Sequence, residues 1–375
     1  MRIGIDYTSA VRQGAGIGRY TRGLVSALTA LDAENRYVLF SAGRDPHATR
    51  WPANVRYRTL PITDRHLSIL WQRLRLPLPV ELVTGPLDIY HSPDFVLAPV
   101  WRARTVLTVH DLSFMRFPEC SSPPLLEYLM HSVPRSVARA DLVLADSENT
   151  RQDVIDLLNV APDRVRKVYA GVEQRFSKPV PPDDVARVRQ RYGIERPYIL
   201  GVGTLQPRKN FPTLIRAFDL LRQEHGIAHQ LVIAGSRGWL DEPIRATIDE
   251  LGLRGAVLIT GFVDDADLPA LYQGADVFAF PSLYEGFGIP ILEAMAGGTP
   301  VVTADTSSMP EVAGDAALLV SPYDVNGLTN ALWRLLDDVA LRDALRARGR
   351  QQVALFRWER SAGVLLEVYA SLVGS

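Results

Sequence analysis

YILGVGTLQPRKNFPTLIRAFDLLRQ, residues 198–223, joins a short apolar run, a loop of small and basic residues, and an amphipathic pattern. The run Tyr198–Gly203 is apolar throughout instead of alternating, which is typical of a parallel strand that is covered on both faces. The stretch Phe211–Gln223 spaces its apolar residues as a helix with one buried face does. The order strand, loop, helix predicts one unit of an α/β fold.

The same pattern recurs along the chain. Predicted strands lie at Ile3–Tyr7, Tyr37–Ser41, Val55–Leu60, Asp88–His91, Thr105–His110, Leu142–Ala145 and Val165–Tyr169, and then at Tyr198–Gly203, Leu231–Ala234, Val257–Thr260, Val277–Pro281, Val301–Thr303 and Ala317–Val320. Because helical patterns separate them, we expect two doubly wound parallel sheets in tandem. The proline-rich stretch SKPVPPDD places the boundary between a first domain of residues 1–175 and a second of residues 190–357.

Composition excludes several classes of protein. With 47% hydrophobic and 22% charged residues, the 375-residue chain can bury sizeable cores, and its net charge of −1 gives no basic field for nucleic acid. Cys120 is the only cysteine, which excludes an intrachain disulfide and argues against a cysteine-based zinc site. The longest run without a charged residue, His225–Ser236, is shorter than the ~20 residues that span a bilayer. The first residues lack a signal-peptide pattern, so we expect a cytoplasmic protein.

Ligands of open α/β sheets bind beyond the carboxyl ends of the strands, so the segments there are candidate sites. In the second half, Arg208 and Lys209 stand just before a helix, where cations oppose the helix dipole. Lys209 is also one of only three lysines in the chain. An anion, such as a diphosphate, would explain this placement; the alternative is a solvated surface.

The most specific segment is EGFGIPILEAMAGGTP, residues 285–300. Pro290 suits the first turn of a helix, so Glu285 is expected in the preceding loop and Glu293 about one turn inside the helix. The free N–H groups of such a helix start suit phosphate or sugar oxygens. A capping arrangement would explain one glutamate but not the two-glycine loop.

Three segments of the first half are weaker candidates. The loop Gly14-Ala15-Gly16-Ile17-Gly18 opens a helix and would allow a ligand close to the backbone, or would be an ordinary flexible loop. His110 and Asp111 end a strand and can present an oriented imidazole, although Asp111 also suits a turn cap. The segment DSENT, residues 146–150, suits a helix start.

Asp265-Ala266-Asp267 has the spacing of a metal-binding D-x-D pair. Because an apolar helical pattern follows at once, we interpret these acids as a helix cap and predict no metal site.

Together these motifs resemble the retaining GT-B glycosyltransferases of glycosyltransferase family 4. The resemblance covers nearly the whole chain and rests on the glycine loop, TVHD, DSENT, GVGTLQPRKN, GFV and EGFGIPILE with AMAGGTPVV, in that order. It implies two Rossmann-like domains that face each other across a cleft, with the acceptor side in residues 1–175 and the nucleotide-sugar donor side in residues 190–357. It also implies that a C-terminal helix of about residues 358–375 packs back on the first domain.

The resemblance also implies roles for individual residues. Arg208 and Lys209 would neutralise the donor's diphosphate, Glu293 would hold the ribose, and Glu285 would lie near the transferred sugar. The remaining donor contacts of the second half would come from Gly203, Phe262, Val263, Gly286, Phe287, Gly288 and Ile289, of which Phe262 and Val263 would meet the base. In the first half, Gly16 and Gly18 would line the phosphate side and His110 would hydrogen-bond the sugar.

We therefore expect transfer of a hexose from a nucleotide diphosphate sugar to a hydroxyl of a glycan or lipid-linked acceptor in polysaccharide biosynthesis. We expect the transfer to retain the anomeric configuration and to need neither a metal ion nor a cofactor. The segments SFMRFPE and VPRSVARAD resemble bacterial mannosyltransferases, which favours GDP-mannose over UDP-sugars. Two alternatives stay open: a UDP-sugar 2-epimerase on the same fold, and a non-catalytic two-lobed sugar-binding protein.

One segment suggests a membrane contact. In the segment of residues 65–76, Leu67, Leu70, Trp71 and Leu74 have helical spacing, with Arg65, Arg73 and Arg75 at the flanks. A basic amphipathic helix of this kind can lie on an anionic membrane, here the inner face of the plasma membrane. The ordinary alternative is a helix that packs Trp71 into the first domain.

Overall fold

The computed structural model describes residues 1–14, 16–45, 49–74 and 76–374, except for the side chain of Gln72. The chain divides into two compact units. The first contains Met1–Met115, Pro124–Gly171 and Phe356–Ser375, and the second contains Arg116–Pro123 and Val172–Leu355. Each unit is built on its own parallel sheet.

Within the described residues, the sheet of the first unit has seven strands. In chain order they are β1 (Arg2–Asp6), β2 (Arg36–Ala42), β3 (Val55–Leu60), β4 (Ile89–Ser92), β5 (Arg104–Val109), β6 (Leu142–Ala145) and β7 (Val165–Lys167). Their spatial order is β3-β2-β1-β4-β5-β6-β7, and every pairing is parallel. Strand β6, Leu-Val-Leu-Ala, is buried at every residue, which is why it reads as an uninterrupted apolar run. Strand β4 is equally buried although it contains His91 and Ser92.

The helices of the first 171 residues cover both faces of this sheet. They are α1 (Thr8–Arg12), α2 (Ile17–Leu31), α3 (Asp64–Ser68), α4 (Glu81–Thr84), α5 (Ser113–Arg116), α6 (Pro123–Arg139) and α7 (Glu148–Leu158). A π-helical turn, Ile69–Arg73, follows α3, and 3-10 turns lie at Pro118–Cys120 and Pro162–Arg164. The start of α7 is set by Ser147, whose Oγ accepts a hydrogen bond from the backbone N–H of Thr150 at 3.1 Å.

The second unit repeats the plan with six strands. They are β8 (Tyr198–Val202), β9 (Gln230–Ala234), β10 (Val257–Gly261), β11 (Val277–Phe280), β12 (Val301–Ala304) and β13 (Ala317–Val320), in the spatial order β10-β9-β8-β11-β12-β13. Its helices are α8 (Pro182–Arg191), α9 (Phe211–His225), α10 (Glu242–Glu250), α11 (Leu268–Gln273), α12 (Ile289–Ala296), α13 (Met309–Ala313), α14 (Val325–Asp337) and α15 (Val339–Val353). Further 3-10 turns lie at Gln174–Ser177 and Pro207–Lys209.

The sequence prediction of an α/β fold with two doubly wound parallel sheets is confirmed, and every predicted strand lies within a residue or two of an observed one.

Helix α9 illustrates why helices were also predictable. Its apolar residues Phe211, Leu214, Ile215 and Phe218 are buried at helical spacing. The helix ends at His225 because Gly226 takes the left-handed conformation that terminates helices. Within the described residues, no helix is both long and apolar enough to span a membrane.

The last helix, α16 (Trp358–Val373), belongs to the first unit and packs against α2. The ring of Trp358 lies directly over Gly23, where a Cβ atom would approach its Cε2 to 2.4 Å. Further along, the hydroxyl of Tyr369 hydrogen-bonds His91 Nδ1 at 2.7 Å in the interior. Burial lowers the pKa of His91 to about 3, so this histidine is neutral.

We expect Gly23→Ala to lower the thermal unfolding temperature, because the added Cβ would clash with the indole ring of Trp358 and displace it. The effect should appear although Ala favours a helix over Gly by about 1 kcal/mol. Gly363→Ala, in α16, is the matched control, since a Cβ there meets no atom within 4 Å. It should keep or raise the unfolding temperature. Equal stabilisation by both substitutions in differential scanning fluorimetry would contradict the close packing of Trp358 against Gly23.

Candidate functional site

The polar residues that the sequence marks in the second unit gather at one point of its sheet. The strand order reverses between β8 and β11, which are neighbours although β9 and β10 separate them along the chain. The loops that leave these two strands run in opposite directions and open a crevice, and such switch points are where open α/β sheets bind ligands. The loop after β8 carries Arg208 and Lys209, and the loop after β11 carries Glu285.

Arg208, Lys209 and Glu285 form one ion cluster. The Nη1 of Arg208 donates to Glu285 Oε2 at 2.8 Å and to the carbonyl oxygen of Tyr284 at 2.7 Å. The Nζ of Lys209 donates to Glu285 Oε1 at 2.7 Å and lies 4.9 Å from the centre of the Phe280 ring. The three side chains are between 9% and 16% exposed, so the charges interact in a partly water-excluded site.

The two cations decide the charge state of Glu285. Burial alone would raise its pKa, but the charges of Arg208 and Lys209, with the hydrogen bond from Lys209, outweigh burial and lower the pKa to about 2. Glu285 is therefore a carboxylate at neutral pH and cannot donate a proton. Since it neutralises only one of two cations, the cluster keeps a net positive charge.

The loop after β8 is shaped so that Lys209 can reach Glu285. Gly203, at φ 156°, lies under the Lys209 stem, and a Cβ at this position would approach Lys209 Cε to 3.1 Å. Asn210 takes a left-handed conformation and donates from Nδ2 to the carbonyl oxygens of Pro281 and Pro322 at 3.0 and 2.7 Å. This amide ties the loop after β8 to the loop after β11.

The loop of Glu285 is held by a serine that sequence reasoning did not single out. Ser308 Oγ donates to the carbonyl oxygens of Glu285 and Phe287 at 2.9 and 2.7 Å, and Ser308 is fully buried. Gly286 and Phe287 therefore lie in a fixed turn. Gly288 ends the turn at φ 112°, and α12 begins at Ile289 with Pro290 in its first turn, as the sequence predicted.

Glu293 lies one turn inside α12 and is 1% exposed. Its Oε2 accepts a hydrogen bond from the hydroxyl of Tyr272, in α11, at 2.8 Å. Tyr272 is in turn fixed because its carbonyl oxygen accepts from Thr299 Oγ1 at 2.6 Å. Sequence reasoning missed Tyr272, which reads as a core aromatic of an apolar helix.

The GFV segment ends β10 and exposes one aromatic ring. Phe262 is 59% exposed, whereas Val263 is buried. An exposed phenyl ring next to a strand end is free to stack on a planar ligand, while Val263 fixes the backbone that carries it.

In the first unit, His110 is fully engaged by protein atoms. Its Nδ1 lies 2.6 Å from Asp146 Oδ2, and its Nε2 lies 2.8 Å from the carbonyl oxygen of Pro93. A carboxylate and a carbonyl both accept, so both ring nitrogens donate and the ring is an imidazolium. Burial would lower the pKa of His110, but the charge and hydrogen bond of Asp146 outweigh burial and raise it to about 9.

This geometry bears on the predicted role of His110. A sugar hydroxyl could receive a hydrogen bond from His110 only by replacing Asp146 or Pro93, so sugar binding by this residue stays a prediction. The partner Asp146 lies in the DSENT segment that the sequence marks, but the strand order of the sheet is what brings it to His110. It follows β6, which is the neighbour of β5, the strand that ends just before His110.

The glycine loop of the first unit leads into α2. Gly16 is exposed and directly precedes the helix, whereas Gly18 is buried in its first turn. A Cβ at Gly18 would approach the carbonyl oxygen of Gln13 to 2.0 Å, so this position excludes any side chain. Ala15 lies outside the described residues.

The interpretation of Asp265 and Asp267 as a helix cap is wrong in its mechanism. Asp267 does directly precede α11, but its side chain makes no capping hydrogen bond. Its carboxylate instead accepts from Arg191 Nη1 at 2.7 Å and from Arg187 Nη1 at 3.3 Å, because these cations of α8 compete for it. In the part of the chain that the structure describes, no group of three or more His, Cys, Asp or Glu residues could hold a metal ion.

The segment Arg65–Leu76 is not one amphipathic helix. Helix α3 gives way to the π-helical turn, and Arg75 lies outside the described residues. Leu67 is buried, and Trp71 packs edge-on against Phe40 and donates from Nε1 to the carbonyl oxygen of Leu78 at 2.9 Å. Trp71 therefore belongs to the interior of the first unit, as the ordinary alternative had it.

Comparison with known proteins shows which family the chain resembles. Residues 14–176 match the family model described as Glycosyltransferase Family 4, and residues 184–352 match the model described as Glycosyl transferases group 1. The chain is 36% identical over 285 residues to the O-antigen chain mannosyltransferase B of Escherichia coli, which covers 76% of this chain and 74% of that protein. It is also 33% identical over 314 residues to a D-inositol 3-phosphate glycosyltransferase of Salinispora arenicola, covering 78% of this chain and 70% of that protein.

Among solved structures, sucrose-phosphate synthase from Thermosynechococcus elongatus superposes with a TM-score of 0.77 at 23% identity, covering 100% of this chain and 99% of that one. That likeness shows the fold, which is the GT-B arrangement of two Rossmann-like domains. The 36% identity to the mannosyltransferase relative, over 76% of this chain, shows the family as well as the fold. The chain belongs to glycosyltransferase family 4, within the group 1 glycosyltransferases, and is an enzyme of that class.

Proposed function

We propose that this enzyme transfers a mannosyl group from GDP-mannose to a hydroxyl of a glycan or lipid-linked acceptor in polysaccharide biosynthesis, with retention of anomeric configuration and without a metal ion. One observation carries the proposal: Arg208, Lys209 and Glu285 meet at the strand-order reversal of the second sheet. Mannose is favoured because the E. coli relative is named a mannosyltransferase.

The charge of the cluster suits a departing nucleoside diphosphate. When the bond from the sugar to the diphosphate breaks, the phosphate oxygen gains negative charge, and fixed cations in a partly dry site stabilise that charge without reorganising. Glu285 holds Arg208 and Lys209 in place before the donor arrives, because each cation already contacts it. The same cation pair would serve in place of a divalent metal.

The remaining donor contacts follow the placement of the other residues. Phe262 is exposed and would stack on the base, while the first turn of α12, after Gly288, would offer N–H groups to phosphate or sugar oxygens. Glu293, oriented by Tyr272, would accept hydrogen bonds from the ribose. Because Glu285 is ionised and held by two cations, we do not assign it as a nucleophile; the acceptor's proton would pass to the departing phosphate.

The function is tested with a panel of nucleotide sugars. A donor present at 100 times its Kd should add ~2.7 kcal/mol to the stability, so GDP-mannose should raise the unfolding temperature more than UDP-sugars. Transfer from an α-linked donor should give an α-linked product by NMR, and EDTA should leave the rate unchanged. Loss of activity with EDTA, restored by magnesium or manganese, would reverse the proposal of metal independence.

The same assay separates the two open alternatives. A transferase releases GDP in proportion to added acceptor. A 2-epimerase would convert a UDP-sugar without acceptor, and a sugar-binding protein would release no nucleotide at all.

Two substitutions separate catalysis from donor binding. Lys209→Ala removes a charge whose effect grows as the phosphate departs, so kcat should fall by roughly 100-fold, more than donor affinity falls. Glu293→Gln keeps the shape but weakens charge-assisted hydrogen bonds to the ribose, so the donor Kd should rise while kcat changes little. Steady-state kinetics and donor calorimetry measure both. Normal turnover in Lys209→Ala, or a pure kcat effect in Glu293→Gln, would contradict these roles.

We also propose that the first unit touches anionic membrane, through a different surface from the one that the sequence indicated. Trp71 is packed inside, but Leu74, Leu82 and Trp101 are 57%, 61% and 70% exposed. The chain segments that carry these three residues are adjacent. Trp71, near Leu74, donates from Nε1 to the carbonyl oxygen of Leu78. The backbone N–H of Trp101 donates to Oε1 of Glu81, the neighbour of Leu82. Exposed Arg73 and Arg102 flank this surface.

Trp101→Ser with Arg73→Glu should abolish co-sedimentation with vesicles that contain anionic lipid, and high salt should do the same to the unchanged protein. Each basic residue near such a surface contributes only ~1 kcal/mol, so binding should be weak. Arg216→Glu, an exposed position in the second unit, is the control for the charge change. Equal recovery of the protein with neutral and anionic vesicles would exclude the membrane contact.

A further inference from the structure

The loop after β11 is held along its length by hydroxyl side chains of one short segment. This segment, residues 303–308, contains the end of β12 and the loop that follows it, and β12 is the neighbour of β11 in the sheet. Thr303 Oγ1 donates to the carbonyl oxygen of Phe280 at 2.9 Å, and Thr306 Oγ1 donates to that of Leu283 at 3.2 Å. Side chains of the neighbouring strand end therefore fasten the first part of the loop after β11.

The next hydroxyl of the segment, that of Ser307, holds the backbone of Glu285. Its Oγ accepts a hydrogen bond from the N–H of Glu285 at 3.0 Å. The same peptide unit has the carbonyl oxygen of Tyr284 at its other side, and this oxygen accepts from Arg208 Nη1 at 2.7 Å. A peptide unit is planar, so contacts at both its N–H and its C=O fix its rotation. Ser307 thus orients the peptide unit that binds Arg208 and leads into Glu285.

Ser307 makes this contact from a strained backbone conformation. Its φ is 53°, in the left-handed region that glycine adopts freely and that other residues occupy at an energetic cost. A glycine at this position would avoid the cost but would bring no hydroxyl. Strain of this kind beside a reaction site indicates a functional constraint, and the group that a glycine would lack is the acceptor of the Glu285 N–H.

We propose that Ser307 is a positioning residue for the ion cluster. Through the peptide unit between Tyr284 and Glu285, its hydroxyl sets where Arg208 and Glu285 stand when the diphosphate departs. Without the hydroxyl, the peptide unit can rotate and carry the Tyr284 carbonyl oxygen away from Arg208. The action on a departing diphosphate rests on the proposed function, whereas the hydrogen bond and its effect on the loop do not.

Two substitutions separate the hydroxyl from the strain. Ser307→Gly removes both, whereas Ser307→Ala removes the hydroxyl and keeps the strained backbone. Both should lower kcat by roughly tenfold, the factor that corresponds to one ordinary hydrogen bond. Both should change the donor KM much less, because the cations act most strongly on the departing phosphate. Ser307→Ala should lower the unfolding temperature, but in Ser307→Gly the relief of strain should offset the lost hydrogen bond.

Hydrogen exchange of the Glu285 amide measures the contact without any substrate. On the full chain, mass spectrometry with electron-transfer fragmentation should show exchange at least roughly tenfold faster in both variants, since the N–H loses its acceptor. Asn159→Gly is the matched control. Asn159 is exposed and left-handed, at φ 51° after α7, so this variant adds the same backbone freedom elsewhere. It should leave kcat, KM and the exchange of the Glu285 amide unaltered.

Three results would overturn the inference: normal kcat in Ser307→Gly, a kcat that follows the unfolding temperatures of the two variants instead of the loss of the hydroxyl, or unaltered exchange of the Glu285 amide. Failure of the proposed function would look different. The unchanged protein would then transfer no mannosyl group from GDP-mannose, and kcat and KM would be measured with the nucleotide sugar that the donor panel identifies. A normal GDP-mannose transferase whose kcat ignores Ser307→Gly would refute only the role of Ser307.

Discussion

Each parallel sheet reverses its strand order once, between β1 and β4 in the first unit and between β8 and β11 in the second. This constraint decides where chemistry can occur, because the loops that leave the two strands at a reversal must diverge and leave a gap. In the second unit the gap contains the cluster of Arg208, Lys209 and Glu285. In the first unit it contains a cavity of about 410 Å³ whose lining includes Asp6 and Ser92, at the ends of β1 and β4. One topological rule, applied twice, thus gives a cluster of charged side chains in one unit and a cavity in the other.

The cationic position depends on an acid. Two adjacent cations in a partly buried site would repel each other and pay for desolvation, and Glu285 offsets both costs while leaving a net positive charge. Ser308 and Asn210 fix the loops that carry the three side chains, so the arrangement exists before any ligand arrives. Such preorganisation is what allows fixed charges to stabilise a transition state.

Much of this arrangement could be predicted from the sequence, and the exceptions have physical causes. Strands buried on both faces read as uninterrupted apolar runs, and β6 and β11 are examples. Arg208 and Lys209 were recognisable because cations oppose a helix start. Their pairing with Glu285 was not, since it joins residues about 76 positions apart through the strand order, which the sequence alone does not give.

The other contacts that the sequence did not predict also depend on residues that are distant along the chain. Asp267 has the local pattern of a cap, but cations from α8 compete for its carboxylate. Tyr272 reads as a core residue because only the fold brings its hydroxyl to Glu293. Trp71 has the spacing of a surface stripe, yet the π-helical turn directs its indole to Phe40 and Leu78. Local sequence patterns locate a polar or aromatic side chain; they do not identify its distant partner.

The contact of Trp358 with Gly23 has a consequence for biosynthesis. The first unit needs helix α16, which the ribosome makes only after residues 172–357, whereas the second unit uses no residue beyond Leu355. At roughly 5–20 residues per second, the nascent first unit waits about ten to forty seconds with the apolar face of α2 uncovered. The unit that is translated first is therefore the last to be completed, and during that interval it is the part of the nascent chain most exposed to aggregation and to chaperones.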